Sequence, residues 1–532
     1  MLRLQGIFSP DRDPHPAVQE LKYLQQPVAF SPARGGESIK VSIVGKVIDR
    51  VNLNVENRYL FRDPSHLEWH WSITCDVSIS PVARGAFAIE EGSRSGIVVN
   101  IDSARSKIQE LAKLASFHEP IEYWFGIKGT LKKDETWAKQ GHVVVTQQFP
   151  LILRGIDVPI FKKGVADSCS LSVHHDDSTI SISRASNEAQ AFLVIDKRTG
   201  MITSMSSFDG TNLLARNCAV EECGIHPNYT RAITDNDRGG IELLLGFVLP
   251  SHLRILNPFL FRIYGFFKGF HDLSYSWFWQ CSGLMPDSPP IIKCIRIDIS
   301  KTSANLQIDA SCSVIKRAGS IELLAQSITY SVFDDGRVKI ETHVRPKTSI
   351  SRVPSLARVG FEAVLDAQLY NMTYYGRGEV ENYSDRKAGT EMGIWRTTVE
   401  GNEFEYIVPS ENGNKSDCRW VAFQDAHGRG IGFVADPDGD SINVGATLNS
   451  QTVLHHALHT CDLSHRRNGE APIYAHIDHR LMGVGGDVSW FPVVYPDYLV
   501  KPDKDFHYSL WLVPLSEGDD PLLRAKNVTT MK

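Results

Sequence analysis

The chain has 532 residues, 42% of them hydrophobic and 22% charged, and its formal net charge is -6. This length is too great for one ordinary hydrophobic core, so we expect two or three domains of a soluble globular protein. Because the charge is negative and the basic residues form no runs, we expect no nucleic-acid partner. Nine cysteines, an odd number without a CxxC pair, argue against a zinc ribbon and against a complete disulfide framework. Together with a first segment that lacks the apolar stretch of a signal peptide, this pattern predicts a reducing, cytoplasmic location.

Residues 1–26 are predicted to form a connector that leads into a short helix. Pro14 and Pro16 fix the backbone directly before Ala17, an arrangement that is typical of a helix start. Residues 27–158 then alternate β-branched and aromatic runs with turn residues, at 39–51, 55–61, 69–77, 97–101 and 137–153. This spacing predicts an immunoglobulin-like β-sandwich.

Residues 159–532 are again predicted to be β-structure, which makes the whole chain all-β. Two hairpins are predicted, at 191–204 and at 330–344, the second with an Asp-Asp-Gly turn. So many long strands need a large two-sheet architecture rather than a second small sandwich. The most apolar segment, 241–270, is interrupted by prolines and arginines, so we expect no membrane span.

The segment 230–240 concentrates polar residues in one predicted turn. Asp and Asn are common turn formers, so a structural Asx-turn explains the segment as well as a ligand site does. Calcium is a further possibility, although the spacing of an EF-hand is absent. The ligand-binding candidates here are Arg231, Asp235, Asn236 and Asp237.

The segment 374–386, with the sequence YYGRGEVENYSDR, is too rich in charge for a core and richer than a solvated loop needs. Gly376 and Gly378 permit a backbone that presents polar side chains from a strand end. A structural cluster of ion pairs is the alternative. The ligand-binding candidates are Tyr375, Arg377, Asn382, Tyr383 and Arg386, and a turn at 409–413 adds Asn412. The candidate proton carriers are Glu381, Asp385 and Glu411.

The last polar segment is 476–490. His476 and His479 are further candidate proton carriers, but their spacing places them on opposite faces of a strand, so we expect no shared metal. The glycines after them predict a flexible or tightly turned loop, which leads to Asp487 and Trp490. An indole at a loop rim is suited to stacking on a sugar ring, and a buried anchoring tryptophan is the alternative. No nucleotide-binding or other cofactor motif occurs, so we expect no cofactor.

Four motifs in this order resemble the C-terminal part of the glycoside hydrolase family 2 β-galactosidases: DRDPHPAVQELK (11–22), TRAITDNDRG (230–239), YYGRGEVENYSDR (374–386) with VPSENG (408–413), and MGVGGDVSW (482–490). The resemblance implies an immunoglobulin-like domain followed by a β-galactosidase small-chain domain, a large super-sandwich similar to galactose mutarotase. It also implies that Trp490 is the tryptophan that this domain contributes to the sugar site. In this family a catalytic barrel with two glutamates precedes the position of Gly6, so the resemblance supplies no position for that catalytic pair here.

The resemblance implies a carbohydrate-binding protein that is inactive alone as a galactosidase or completes a site in trans with a barrel-bearing glycosidase chain. The alternative is an autonomous enzyme that uses the super-sandwich cleft to isomerise or cyclise an apolar or secondary-metabolite substrate. A degenerate glycosidase without its own function is a third possibility. The aromatic segment 241–279, longer than the family usually has, is a lid, a partner interface or an error in the predicted gene.

Overall fold

The structure is a computed structural model that describes residues 7–44, 47–48, 50–89, 96–114, 121–154, 169–216, 223–238, 274–464, 466–486 and 494–528. Strands dominate these residues, which confirms the all-β class. The described α-helices are short, and they span Ala17–Leu24, Arg105–Leu114, Tyr275–Ser282, Val399–Asn402, Gln451–His456 and Pro521–Lys526.

The N-terminal part forms a sandwich of two sheets. The smaller sheet has the order β1 (Val28–Pro32), β4 (Val51–Asn57), β7 (Ile97–Val99). The larger sheet has the order β3 (Val47–Ile48), β2 (Ile39–Val44), β9 (Val143–Arg154), β8 (Tyr123–Leu131), β5 (Leu67–Cys75), β6 (Ser78–Phe87). Alternate residues point inward, as Val51, Leu53 and Val55 of β4 show, because side chains in a strand alternate between its two faces.

The β-branched run at 39–51 contains β2, β3 and the first residue of β4. The chain reverses after β2, which pairs antiparallel with β3, and β4 belongs to the opposite sheet. The helix Arg105–Leu114 was not predicted. It buries Ile108 completely, and Leu111, three residues later on the same face, packs against the same core.

The C-terminal part contains two nine-stranded antiparallel sheets. The first sheet has the order β10 (Leu171–His175), β11 (Thr179–Arg184), β12 (Asn187–Asp196), β13 (Met201–Met205), β14 (Gly224–Asn228), β19 (Arg358–Leu365), β26 (Ile473–Leu481), β25 (Ile442–Thr447), β22 (Lys415–Cys418). The second sheet has the order β15 (Ile291–Lys301), β16 (Leu306–Ile315), β17 (Glu322–Val332), β18 (Val338–Pro346), β27 (Phe506–Leu515), β24 (Gly430–Ala435), β23 (Trp420–Gln424), β20 (Asn371–Gly378), β21 (Glu391–Thr398).

A continuous apolar core joins these two sheets. Ile195 and Phe361 of the first sheet belong to the same buried cluster as Ile340 and Leu512 of the second. Both predicted hairpins are present, as the pairs β12–β13 and β17–β18. The turn of the second hairpin places Gly336 at a φ of +82°, a left-handed conformation that favours glycine.

The two sandwiches meet through a polar contact around β20. Trp124 Nε1 donates to the hydroxyl of Tyr375 at 2.9 Å, and that hydroxyl donates to Glu122 Oε2 at 3.0 Å. Arg419 Nη2 donates to the other oxygen of Glu122 at 2.9 Å. The helix Ala17–Leu24 adds a second contact, because its Glu20 side chain accepts from two backbone N–H groups of the C-terminal part.

Only the end of the aromatic segment 241–279 is described, since residues 239–273 lie outside the described residues. In the described end, the helix Tyr275–Ser282 buries Tyr275, Phe278 and Trp279. Trp279 Nε1 donates to the carbonyl of Ser355 at 2.7 Å, so this end is part of the core. Among the described residues, no helix is long and apolar enough to cross a membrane. Cys223 forms a disulfide bond, which the cysteine pattern did not predict.

Candidate functional site

The site is centred on the loop 482–486, which follows β26. Arg231 donates from Nη1 to the carbonyl of Met482 at 2.7 Å and from Nη2 to the carbonyl of Gly483 at 3.1 Å. Asn236 Nδ2 donates to the carbonyl of Val484. On the opposite side, the N–H of Gly485 donates to Asp385 Oδ2 at 2.7 Å. Side chains from two distant motifs therefore hold four consecutive residues of this loop.

Arg231 is itself fixed by a buried ion pair with Asp237. Its Nε and Nη2 lie 3.0 Å and 2.6 Å from the two carboxylate oxygens of Asp237, and both side chains are fully buried. Burial would lower the pKa of Arg231, but Asp237 outweighs it and the pKa is raised. Asp237 also accepts from the N–H of Thr234 at 3.0 Å, which closes the turn, while Asp235 is exposed on its outside.

Asp385 approaches the loop closely because two loop residues are glycines. A Cβ atom at Gly483 would come within 2.4 Å of Asp385 Oδ2, and one at Gly485 within 3.0 Å. A larger residue at Gly483 would displace the carboxylate or the loop. Residues 487–493, which follow in the sequence and include Asp487 and Trp490, lie outside the described residues.

Most other candidates in 374–386 use their polar atoms within the protein. Glu381 accepts from Arg386 Nη2 at 2.5 Å, from the Tyr406 hydroxyl at 2.6 Å and from the Gly413 N–H at 2.7 Å. Tyr383 is fully buried, with the Arg386 guanidinium 5.4 Å from its ring centre. These contacts stabilise the segment, so proton transfer by Glu381 stays a prediction.

The remaining ligand-binding candidates also contact protein atoms. Asn382 donates to the carbonyls of Arg377 and Val380 at 3.0 and 3.1 Å. The Arg377 side chain forms an ion pair of 2.6 Å with Asp417. Asn412 accepts from the N–H of Phe404 at 3.3 Å. Tyr375 lies at the contact between the sandwiches described above, away from the loop 482–486.

A row of polar side chains crosses the centre of the first sheet, and only His476 among its members was a candidate from the sequence. His226 of β14, Glu362 of β19 and His476 of β26 are successive cross-strand partners. Glu362 Oε1 lies 3.4 Å from His226 Nε2, and Glu362 Oε2 lies 3.3 Å from His476 Nδ1. Gln451 Nε2 also donates to Glu362 Oε2 at 2.8 Å. The side chains of His226 and Glu362 are 25% and 13% exposed, so this row reaches solvent.

A buried arginine lies farther along the same face. Arg358 Nη1 is 3.1 Å from Asp478 Oδ2, and its Nη2 is 2.6 Å from Glu411 Oε2. Gly360, the cross-strand partner of Asp478, leaves the space that this carboxylate fills, because a Cβ there would lie 2.4 Å from Asp478 Oδ1. Glu411, a predicted proton carrier, and Asp478 therefore both form ion pairs with the guanidinium of Arg358.

Burial divides these groups into different protonation states. Burial, followed by the charge of Arg358, lowers the pKa of His476 to about 4, so its imidazole is neutral at pH 7. Burial also raises the pKa of Asp478 to about 7, against the opposing effect of Arg358. Burial would raise the pKa of Glu362 too, but the hydrogen bond from His226 and the neighbouring imidazoles outweigh it and lower the pKa. An ionised carboxylate and a protonatable one near each other are suited to acid/base chemistry.

His479 lies away from this row. It is buried against Tyr508 of the second sheet, with the two rings parallel to within 6° and their centres 4.9 Å apart. Burial lowers the pKa of His479 to about 4. The structure thus places His476 and His479 in different surroundings.

The sequence does contain a signal for the missed residues. Polar residues or glycine occupy every second position at the start of β19, as Arg358, Gly360 and Glu362, within an otherwise apolar strand. His476 and Asp478 repeat this spacing in β26. A polar stripe with a period of two along a buried strand predicts polar groups on one sheet face.

Two family models match the chain. The model described as "Beta galactosidase small chain" matches residues 187–512, and "Beta-galactosidase, domain 4" matches residues 53–152. The β-galactosidase of Priestia megaterium is 24% identical over 513 residues, which cover 96% of this chain and 41% of that protein. The β-galactosidase of Psychromonas ingrahamii is 25% identical over 516 residues, again 96% of this chain and 41% of that protein. The chain thus spans well under half the length of these relatives, and the resemblance to the C-terminal part of β-galactosidases is confirmed.

Solved structures with a similar chain path include a galactose mutarotase-like protein from Lactobacillus casei, with a TM-score of 0.31 and 9% identity over 65% of this chain and 99% of that one. A putative mutarotase from Salmonella typhimurium has a TM-score of 0.31 and 9% identity over 66% of this chain and 92% of that one. Similarity at this level says nothing about activity.

Proposed function

Because this chain belongs to the β-galactosidase small chain family, we propose that it binds carbohydrate and contributes one side of a β-galactosidase-type sugar site. The resemblance assigns the tryptophan of that site to Trp490. In the family the catalytic glutamates belong to the barrel, which lies outside the matched part. We therefore propose that this chain has no galactosidase activity alone and completes a site in trans with a barrel-bearing chain.

The observation that supports this proposal is the bonding of the loop 482–486. Arg231, Asn236 and Asp385 hold its backbone, and the loop continues in the sequence towards Trp490. A loop that is ordered before binding loses less conformational entropy when a ligand arrives. These three side chains are therefore positioning residues for the sugar site.

Isothermal titration of the full chain with galactose or a non-hydrolysable galactoside tests the binding step. Trp490→Ala is expected to weaken binding by about tenfold, since an aromatic stacking contact contributes roughly 0.5–1.5 kcal/mol beyond its buried area. Trp137→Ala is the matched control, because Trp137 is a 61% exposed indole in the N-terminal sandwich. Equal affinities for the two variants, or no binding of galactosides by the unsubstituted chain, would contradict the proposal.

Mixing experiments test the completion in trans. The partner is the portion of the Priestia megaterium β-galactosidase that precedes the matched part, and nitrophenyl galactoside hydrolysis is the readout. We expect each chain to be inactive alone and the mixture to be active, with lower activity for Trp490→Ala. Hydrolysis by this chain alone, or the absence of a complex in size-exclusion chromatography, would refute this step.

A second candidate function rests on the polar row of the first sheet. Glu362 is ionised, and Asp478 holds a proton near neutral pH, so the two can act as base and acid on a substrate that enters beside His226. The reaction would be the isomerisation or cyclisation of an apolar or secondary-metabolite substrate, carried out by this chain without a partner. A cytoplasmic location stays a prediction for both candidates.

A panel of such compounds is incubated with the chain and then separated by chromatography. A new peak with the mass of the substrate indicates isomerisation or cyclisation. If these two groups are the base and the acid, Glu362→Gln and Asp478→Asn should each abolish the conversion. Glu381→Gln should retain it, because the carboxylate of Glu381 is already bonded to three protein groups. Full activity of Glu362→Gln would exclude this mechanism.

A further inference from the structure

A separate group of metal-ligating side chains lies on the outer face of the second sheet. His343, Asp505 and His507 each offer one ligand atom, and the three atoms lie within 4.8 Å of one another. Neither the loop 482–486 nor the polar row of the first sheet includes any of these residues. The sequence does not predict a metal site here, because His343 and His507 are far apart in the chain.

The sheet register brings the two imidazoles together. His343 of β18 and His507 of β27 are direct cross-strand partners. Their neighbours Val344 and Phe506 are buried, so both histidines face away from the core. The two rings stack with their centres 3.8 Å apart and their planes inclined by 25°. A paired position on antiparallel strands thus fixes both ring nitrogens on one side of the sheet.

Asp505 completes the group from the residue before β27. Its Oδ2 lies 2.7 Å from His343 Nε2. The side chains of His343 and Asp505 are 26% and 45% exposed, so an ion can reach them from solvent. The carboxylate also supplies the negative charge that favours a cation over a neutral ligand.

We propose that His343, Asp505 and His507 bind one divalent late-transition metal ion. Two imidazoles and one carboxylate form a donor set that Zn²⁺ and similar ions prefer. Zinc bonds to these donors measure about 2.0–2.2 Å, which places tetrahedral ligand atoms about 3.3 Å apart. If the side chains rotate about their χ angles so that the ligand atoms move by roughly an ångström, the three atoms reach that spacing. Three protein ligands leave the fourth position to water or to a second ligand.

Metal titration of the full chain tests this site. After treatment with a chelator and its removal, the chain is titrated with Co²⁺ while visible absorption is recorded, and with Zn²⁺ by calorimetry. We expect one equivalent to bind with a tetrahedral cobalt spectrum. His343→Ala and His507→Ala should each weaken binding by at least about tenfold, because each removes a metal–nitrogen bond. Asp505→Asn should weaken it less, because an oxygen remains.

The matched control is His174→Ala, which removes an exposed histidine of β10 on the first sheet. It should leave affinity and stoichiometry unchanged, and Zn²⁺ should raise the thermal unfolding temperature of this control but not of His343→Ala. Metal-free His343→Ala and the unsubstituted chain should unfold alike, which shows that the variant is folded. The proposal is overturned if no metal binds, or if binding survives the double substitution of His343 and His507.

Discussion

Replacement of Asp385 tests whether the loop 482–486 is held for ligand binding. Asp385→Ala removes the only described side-chain acceptor of the Gly485 N–H, at 2.7 Å. The hydrogen bonds from Arg231 to the carbonyls of Met482 and Gly483 remain. The variant therefore loosens one side of the loop and leaves the buried ion pair of Arg231 intact.

The size of the effect follows from that single bond. A hydrogen bond to a charged acceptor contributes about 1.5–3 kcal/mol, and every 1.4 kcal/mol is about a tenfold change in equilibrium constant. Since Asp385 is only partly buried, we expect the lower end, about a tenfold weaker sugar affinity. The free energy of global unfolding should change less, because a loop can open locally while the sheets remain paired.

Two measurements on the same samples test this prediction: galactoside titration for affinity, and amide hydrogen exchange for residues 482–486. Asp385→Asn retains an acceptor oxygen and should restore most of the affinity. Asp176→Ala is the control, because Asp176 likewise accepts from backbone N–H groups, of Ser178 and Thr179 at 2.7 Å, but in a turn between β10 and β11. It should leave sugar affinity unchanged.

Either of two results would contradict this prediction. If Asp385→Ala speeds exchange at Gly485 but binds galactosides as tightly as the unsubstituted chain, the order of this loop does not support binding. If exchange at Gly485 does not change, the hydrogen bond to Asp385 is not what holds the loop.

Three further predictions concern the interior. Arg358→Met should lower the free energy of unfolding by about 3–5 kcal/mol, because it leaves Glu411 and Asp478 buried without their cation; urea denaturation measures it, and a loss below about 1 kcal/mol would contradict the pairing. His476 has a pKa of about 4 against an ordinary 6.5, so the folded state resists protonation and loses stability as pH falls through this interval. His476→Gln should remove that part of the slope, and an identical slope between pH 4.5 and 7.5 would contradict it. Tyr375→Phe removes one hydroxyl from the contact between the sandwiches and should cost about 1 kcal/mol in calorimetric unfolding, with no change in galactoside affinity.

The sequence predicts those parts of the fold that depend on neighbouring residues. The hairpin of β17 and β18 is visible because the turn Asp334-Asp335-Gly336 lies between two alternating runs. The reversal after β2 is not visible, because the sequence there offers one glycine, Gly45, within a β-branched run. The pairing of β14 with β19 is likewise invisible, since more than a hundred residues separate these strands.

The candidate site was predicted to the extent that its residues occur in motifs. Arg231, Asn236 and Asp385 come from two such motifs, and the structure brings all three to one loop. Glu362 and Arg358 both lie in β19, outside the four motifs. Their spacing indicates a polar face, but their partners come from other parts of the chain, so only the sheet register shows which side chains meet.

Side chains of the segment 374–386 make contacts in three different parts of the protein. The sequence alone does not distinguish these contacts, because side chains point in different directions at a strand end and in a turn. Tyr375 faces the N-terminal sandwich, Glu381 accepts from groups of residues 386, 406 and 413, and Asp385 reaches the loop 482–486. The strand β20 is paired on both edges, by β21 and β23, so its backbone should stay in place when one side-chain hydroxyl is lost. Loss of the Tyr375 hydroxyl should therefore leave the hydrogen bond between Asp385 and Gly485 in place. A change in amide exchange at Gly485 in Tyr375→Phe would instead show that the contact between the sandwiches and the loop are mechanically coupled.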